Sequence, residues 1–246
     1  MIIINQTVFL WFIKTNICGH PVAKMRKRHL DLGKGRRKHY VIKITTEKDI
    51  PMFDPRGDNP FDLLDAWMAE ATEHEINDPN AVALASVAED GFPSVRVVLM
   101  KGRDDNAVHF YTNYTSRKSG ELDATGKAAM CFHWKSLRRQ IRLVGRVERL
   151  DEATSDAYYH SRPYGSRIGA WASDQSSPLE DRQTLADRVQ SFSDTYPENP
   201  PRPPYWGGYR LIPHEMEFWI DGESRLHDRF RFTKEGGNWQ AIRLYP

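Results

Sequence analysis

The chain has 246 residues, of which 39% are hydrophobic and 28% are charged, and its formal net charge is +2. These values are ordinary for a soluble globular protein with a sizeable core. The longest apolar run near the N-terminus, Val8 to Ile13, is too short for a membrane-spanning helix, which needs about 20 residues. Two cysteines, Cys18 and Cys131, make no disulfide framework, so we expect a cytoplasmic protein.

Basic charge is concentrated at the start of the chain. Residues 1–50 carry eleven Lys or Arg against three Asp or Glu, whereas the remaining residues carry 24 against 30. A basic arm that binds nucleic acid is one interpretation. Residues 24–38 lack helical periodicity and interleaved aromatic residues, so we expect a disordered extension, or sequence upstream of the natural start. No nucleic-acid or membrane partner is expected.

Helical periodicity begins after residue 59. Asn59 is a suitable N-cap, Pro60 suits the first helical position, and apolar residues recur at helical spacing to residue 76. Further helices are predicted over residues 151–161, ended by Pro163, and over residues 178–196, ended by a proline-rich stretch.

Short β-type runs make up most of the remainder. Strands are predicted over residues 81–88, 94–101, 107–112, 128–134, 137–150, 205–212, 215–220, 227–233 and 239–244. Strands that follow one another through hairpins indicate a mainly β fold, an antiparallel barrel with peripheral helices, rather than a doubly wound parallel sheet. The sequence has no Gly-x-Gly-x-x-Gly, P-loop, His-Glu-x-x-His or clustered metal ligands, so we expect no metal site.

Three segments carry candidate chemistry. In the first, Arg96 and Lys101 flank an apolar strand and Ser116-Arg117-Lys118 opens a helix, which suits a phosphate, although surface strands often end in basic residues. The second and third are sets at helical and strand spacing: Tyr158, Arg162 and Ser166, then Arg225, His227 and Arg229. The helical set suits another phosphate, or is only a solvated surface. The strand set is predicted on one strand face opposite an anion, or is a solvated edge.

Together these segments belong to a longer series of motifs in fixed order. They are residues 96–101, 111–112, 116–118, 139–140, 160–163, 169–171, 175–177, 206–208, 217–219 and 225–229. Over about residues 59–246 the series resembles the pyridoxamine 5'-phosphate oxidase family. The resemblance implies an FMN-binding split β-barrel over residues 51–246, and a homodimer whose two FMN sites lie across the subunit interface.

The resemblance also implies roles for individual residues. The FMN phosphate would be bound by or lie beside Arg96, Arg117, Lys118, Gln175 and Ser176. The rest of the flavin would be lined by Val97, Val98, Leu99, Met100, Tyr111, Thr112, Gln140, Trp219 and Arg229. The substrate phosphate would be held by Lys101, Tyr158, Arg162 and Ser166, and the substrate ring would be flanked by the catalytic residues Arg225 and His227.

The implied activity is oxidation of pyridoxamine 5'-phosphate or pyridoxine 5'-phosphate by oxygen, giving pyridoxal 5'-phosphate and hydrogen peroxide. One family element is missing, because residues 50–57 offer no equivalent of the Arg-x-x-Tyr and Gly-Leu element that folds over the substrate. Two alternatives are a split-barrel FMN oxidase for another ring substrate, such as a phenazine-type precursor, and a non-catalytic FMN or pyridoxal phosphate carrier. The four substrate-phosphate residues argue against the first, and Arg225 with His227 argues against the second.

Overall fold

The structure is a computed structural model that describes residues 53–246, so the predicted basic extension lies outside the described residues. The described part contains five α-helices: α1 (Pro60–His74), α2 (Arg117–Thr125), α3 (Glu152–Ser161), α4 (Tyr164–Ala172) and α5 (Arg182–Thr195). Its strands are β1 (Ala81–Val87), β2 (Pro93–Leu99), β3 (Gly102–Arg103), β4 (Val108–Asn113), β5 (Lys127–Trp134), β6 (Arg139–Arg149), β7 (Trp206–Ile220), β8 (Asp228–Glu235) and β9 (Asn238–Leu244). None of these helices is long and apolar enough to cross a membrane.

Helix α1 begins as the sequence predicts. The Asn59 side chain accepts a hydrogen bond from the Phe61 N–H at 3.0 Å, and Pro60 occupies the first turn, where no backbone donor is needed. One face then buries Phe61, Leu64 and Trp67. The Trp67 ring packs edge-on against Phe218 of β7 at 5.2 Å, which anchors the helix to the sheet.

All strand pairings in residues 53–246 are antiparallel, and strand β7 organises the sheet. The strand order is β2-β1-β5-β6-β7-β4-β3, with β8 and β9 continuing from β7. One edge of β7 pairs with β6, whereas the other edge pairs first with β4 and then with β8. The sheet therefore branches at β7 and curls as a half-barrel, which confirms the predicted split-barrel fold.

The two faces of this sheet differ in burial. The inner face carries a row of residues in register, each at most 1% exposed: Leu84, Met130, Leu143, Met216 and Phe232. On the outer face of β2, Val95 is 69% and Val97 is 67% exposed. One face therefore forms the core, and the other presents apolar side chains to the surroundings.

Three secondary-structure predictions were wrong or incomplete. The strands predicted on either side of Pro213 are one strand, because this proline lies between the stretches that pair with β4 and with β8, where its missing N–H breaks no bond to either. Pro163 ends α3 as expected, but its carbonyl then accepts from the Ser166 and Arg167 N–H groups and starts the unpredicted helix α4. Helix α5 begins at Arg182, where the Asp181 side chain caps it, rather than at residue 178.

Candidate active site

A buried lysine lies at the centre of the first predicted cluster. The Lys118 side chain, on the first turn of α2, donates to Thr112 Oγ1 at 2.9 Å, Ser116 Oγ at 3.0 Å and Gln175 Oε1 at 2.7 Å. Thr112 lies one residue before the end of β4 and Gln175 belongs to the loop between α4 and α5, so three separate segments meet here. The structure therefore brings Thr112, Lys118 and Gln175 together as the resemblance implies.

The electrostatics of this cluster favour an anion. Burial and, to a smaller extent, the nearby positive charge of Arg96 together lower the pKa of Lys118 to about 8. All three acceptors of the ammonium are neutral oxygens. A phosphate beside the first turn of a helix would meet two cations and the positive end of the helix dipole.

Arg96 is held in place by a carboxylate that the sequence analysis missed. Glu121, 6% exposed, accepts from Arg96 Nη2 at 3.1 Å and from the Ser86 and Ser94 hydroxyls at 2.5 Å each. Burial would raise the pKa of Glu121, but these bonds and one from Arg117 lower it to about 2. The sequence did contain one signal for this carboxylate: Glu121 lies four residues after Arg117, which is the spacing of an ion pair within a helix.

The other residues expected at the flavin differ in their exposure, their backbone conformation and the sheet face on which they lie. Arg117 is exposed and donates to Glu121 Oε1 at 2.9 Å, while Ser176 is exposed in a left-handed conformation with a φ of 73°. The predicted run Val97, Val98, Leu99 and Met100 alternates between sheet faces, with Val97 opposite to Arg96. Because β2 is the last strand of the sheet, it presents one backbone edge as well as side chains.

The second predicted cluster is aromatic. The rings of Tyr111 and Tyr158 stack with centroids 3.9 Å apart, and both lie nearly parallel to Trp206. The Arg162 guanidinium lies 4.7 Å from the Trp206 ring, and its Nη1 is buried without a hydrogen-bond partner among the described residues. Burial lowers the pKa of Arg162, so this cation too would gain from an anion.

Two members of that predicted set lie apart from it. Lys101 and Ser166 are exposed, and within residues 53–246 no hydrogen bond, ion pair or ring contact joins either side chain to Tyr158 or Arg162. Their assignment to the substrate phosphate stays a prediction.

A third group forms a row across the outer face of the sheet. Gln140 pairs with Trp219, and Trp219 pairs with Arg229, so the three predicted flavin residues lie side by side on β6, β7 and β8. The His227 ring lies 4.6 Å from Trp219, and its Nδ1 accepts from the Gly222 N–H at 3.1 Å. Within the turn, Asp221 Oδ1 lies 3.4 Å from the same Nδ1.

The expectation that Arg225, His227 and Arg229 share one strand face was wrong. Strand β8 begins at Asp228, and Arg225 ends a 3-10 turn with a φ of 65°. The left-handed backbone breaks the alternation on which that expectation depended. His227 and Arg229 still meet Trp219, whereas Arg225 is exposed on the turn.

The cation cluster, formed by Arg96 and Lys118, and the Trp219 row, formed by Gln140, Trp219 and Arg229, lie on opposite faces of the sheet. Arg96 pairs with Leu84 and so belongs to the inner row that ends at Phe232, whereas Trp219 and Arg229 alternate with that row. A single sheet cannot offer both faces to one small molecule, except around an edge. Among residues 53–246, no group of three or more His, Cys, Asp or Glu side chains is placed to hold a metal ion.

Comparison of this chain with known proteins identifies its family. Residues 68–196 match the profile described as pyridoxamine 5'-phosphate oxidase, and residues 206–246 match the one described as the pyridoxine 5'-phosphate oxidase C-terminal dimerisation region. The pyridoxine/pyridoxamine 5'-phosphate oxidase of Roseobacter denitrificans is 54% identical over 192 residues, which cover 77% of this chain and 96% of that protein. This chain belongs to the pyridoxine/pyridoxamine 5'-phosphate oxidase family.

Other members and solved structures agree with this assignment. The oxidase of that name from Brucella canis is 55% identical over 190 residues, 76% of this chain and 94% of that one. The structure of PhzG from Burkholderia lata 383, in complex with tetrahydrophenazine-1-carboxylic acid, has a TM-score of 0.73 and 36% identity, and the match covers 83% of this chain and 98% of that one. An FMN-binding protein of Nostoc punctiforme related to the family shares the fold, with a TM-score of 0.63 and 16% identity over 76% of this chain and 98% of its own.

Proposed function

We propose that this protein is an FMN-dependent oxidase that converts pyridoxamine 5'-phosphate or pyridoxine 5'-phosphate into pyridoxal 5'-phosphate. The observation that carries the proposal is the buried ammonium of Lys118, bonded to three neutral oxygens beside Arg96, in a chain of this family. A buried cation of this kind is stabilised by a bound phosphate, which FMN carries.

The remaining residues divide between the two ends of FMN. Arg96, Arg117, Lys118, Gln175 and Ser176 would bind its phosphate, with Thr112 fixing the Gln175 amide through a 2.9 Å hydrogen bond. Gln140, Trp219 and Arg229 would meet its ring, and the edge of β2 and Tyr111 would line the remainder. Bound FMN would accept a hydride from the substrate and return the electrons to oxygen, giving hydrogen peroxide.

The substrate would bind through its own phosphate. Arg162 offers a buried Nη1 and lies with Tyr158 against Trp206, so we assign both to this phosphate, together with Lys101 and Ser166. Tyr111 stacks on Tyr158, which joins the proposed flavin residues to the proposed substrate residues. His227 would orient the substrate amine or hydroxyl through its Nε2, because its Nδ1 already accepts from the Gly222 N–H, and Arg225 would approach the ring from the turn.

We also propose a homodimer with composite sites. The cation cluster and the Trp219 row lie on opposite sheet faces, so one FMN would take its phosphate partners from one chain and its ring partners from the other. The apolar outer face of β2 and the dimerisation region over residues 206–246 favour this arrangement. Residues 51–246 would form the oxidase domain, and a cytoplasmic location stays a prediction.

A second candidate is an oxidase for a phenazine-type ring, because PhzG is 36% identical to this chain. The two functions differ in what they require of Arg162. A substrate phosphate needs this cation, whereas a carboxylate on a ring does not need the whole set of Lys101, Tyr158, Arg162 and Ser166. The test is anaerobic addition of pyridoxamine 5'-phosphate to the FMN-loaded protein. We expect the flavin absorbance to bleach and to recover in air with release of pyridoxal 5'-phosphate. Unchanged absorbance with both B6 phosphates, and bleaching by a dihydrophenazine carboxylate, would contradict the proposal.

A further inference from the structure

Glu217 is a buried carboxylate to which the proposed function gives no role. It lies on β7 two residues before Trp219, on the outer face of the sheet, yet its side chain is only 4% exposed. A carboxylate removed from water is costly unless cations and donors surround it. Its Oε1 accepts from Arg229 Nε at 3.0 Å and Nη2 at 2.9 Å, and its Oε2 lies 3.6 Å from Arg142 Nη1.

These contacts immobilise Arg229. Two of its nitrogens bind Glu217, and its Nη1 donates to the Tyr245 carbonyl at 3.0 Å. A guanidinium has five N–H donors in one plane, so three such contacts fix the plane and leave two donors for another acceptor. Arg229 is also the direct strand partner of Trp219, so its guanidinium belongs to the sheet face on which the flavin ring is proposed to lie.

The neighbouring arginine on the same strand face gives a contrast. Arg231 is the direct strand partner of Glu217, and its Nε lies 3.9 Å from Glu215 Oε2, too far for a hydrogen bond. Arg229 therefore differs from Arg231 in being held on three nitrogens, although each has a glutamate oxygen of β7 within 4 Å of its guanidinium.

We propose that Glu217 is a positioning residue that orients the Arg229 guanidinium toward the flavin ring and offsets its positive charge. This role depends on the proposed function, because Arg229 acts on FMN only if FMN binds there. If Glu217 orients Arg229, its loss should matter only while Arg229 is present. If it offsets charge, removing the carboxylate without removing an oxygen should make electron uptake at the bound ring easier, because negative charge accumulates there.

The orienting role is tested by titrating FMN into apoprotein and following flavin fluorescence. We expect Glu217→Ala to weaken FMN binding about tenfold, the effect of losing a charge-assisted contact. Arg229→Ala should weaken it at least as much, and the double variant should bind no more weakly than Arg229→Ala alone. Losses that add in the double variant would overturn the proposal, because Glu217 would then act without Arg229.

The charge role is tested on FMN-loaded protein by measuring the flavin midpoint potential. Glu217→Gln keeps an oxygen that can accept from Arg229, so FMN affinity should stay within about threefold of wild type while the potential rises. Glu215→Gln makes the same charge change two residues away, beside Arg231 rather than Arg229, and we expect a smaller rise from it. An unchanged potential in Glu217→Gln, or an equal rise in Glu215→Gln, would overturn the proposal. Wild-type protein that bound no FMN would instead contradict the proposed function.

Discussion

The Lys118 ammonium donates to Gln175 Oε1 at 2.7 Å, across 57 positions of sequence. This bond joins the start of α2 to the loop between α4 and α5, and the same oxygen accepts from Thr112. The loop is further held by Asp174, which pairs with Arg188 of α5 at 2.7 Å. The proposed phosphate site is thus assembled from distant segments, and its affinity should depend on each of them.

FMN affinity should depend on pH through Lys118. Because burial lowers the pKa of Lys118 to about 8, the apoprotein loses this positive charge as pH rises through 8, whereas a bound phosphate favours the charged form. FMN binding should therefore take up a proton near pH 8 and weaken between pH 7 and pH 9. Titration of apoprotein with FMN across this range measures the effect.

Lys118→Arg is the matched control, because a guanidinium stays charged throughout that range. We expect it to bind FMN more weakly at pH 7, since the new side chain fits the three oxygens less well, but to lose the additional weakening by pH 9. Equal pH profiles for the two proteins would show that another group is responsible.

Gln175→Ala should weaken FMN binding by about tenfold, because it removes an acceptor from a buried ammonium and releases the loop. The control is Gln183→Ala on α5, where an exposed glutamine bonds only to Asp187 in the same helix. Equilibrium dialysis of FMN against both variants makes the comparison. Wild-type affinity in Gln175→Ala would mean that the loop is not part of the site.

The sequence predicts those parts of this site that depend on local pattern. Asn59 and Pro60 start α1 as expected, and Gln140 and Trp219 were assigned through motifs that each lie within a single strand, whereas the motif that contains Arg229 runs from the turn into β8. Their alignment into one row depends on register across three strands, which a single sequence does not specify.

The parts that sequence analysis missed are set by tertiary contacts. Glu121 is one of two acidic residues in α2, and only its burial against Ser86, Ser94 and Arg96 reveals a role. Arg225 was placed on a strand because its spacing from His227 suits one, but a left-handed turn there ends the strand pattern. Ser and Arg have little preference for a left-handed backbone, so the residue types at positions 224 and 225 did not indicate this turn.

The proposed homodimer should depend on the outer face of β2. Val95 is 69% exposed there, and an aspartate at this position would place a charge in the dimer contact. We expect Val95→Asp to shift the protein toward monomer and to lose FMN with it, since each site would need two chains. Ile76→Asp, at a residue 90% exposed after α1, is the control. Sedimentation of each variant, with its bound FMN quantified, measures both effects. An FMN-saturated monomer would contradict the composite site.

Acid stability of the apoprotein should depend on Glu121. Its pKa in the folded protein is lowered from 4.5 to about 2, so its stabilising effect is complete above pH 4.5 and is lost as pH falls toward 2. The shift corresponds to on the order of 3 kcal/mol in the free energy of unfolding. Glu121→Gln should therefore show a flatter decline between pH 5 and pH 2 in urea titrations, and Ser94→Ala an intermediate one. If the free energy of unfolding of Glu121→Gln declined with pH as steeply as that of wild type, another group would be responsible for the acid sensitivity.

Arg162 and His227 should affect different kinetic constants. Arg162→Ala removes a contact to a phosphate that is bound alike in the ground and transition states, so KM should rise about tenfold while kcat changes little. His227→Ala should instead slow flavin bleaching at saturating substrate by on the order of 10², because it removes a group proposed to orient the substrate amine or hydroxyl for reaction. Arg182→Ala, at the exposed start of α5, is a matched arginine control for the first variant.

Anaerobic stopped-flow measurement with bound FMN quantified on each variant separates these effects. FMN content should survive His227→Ala, because His227 is assigned to the substrate and contacts Trp219, Asp221 and the peptide N–H of Gly222 rather than the proposed phosphate residues. If His227→Ala bleaches at the wild-type rate, the imidazole only shapes the turn around Gly222, where an added Cβ would lie 2.0 Å from the Leu226 carbonyl oxygen. Another group would then orient the substrate, and Arg225, which the structure places on the exposed turn, would be the next side chain to replace.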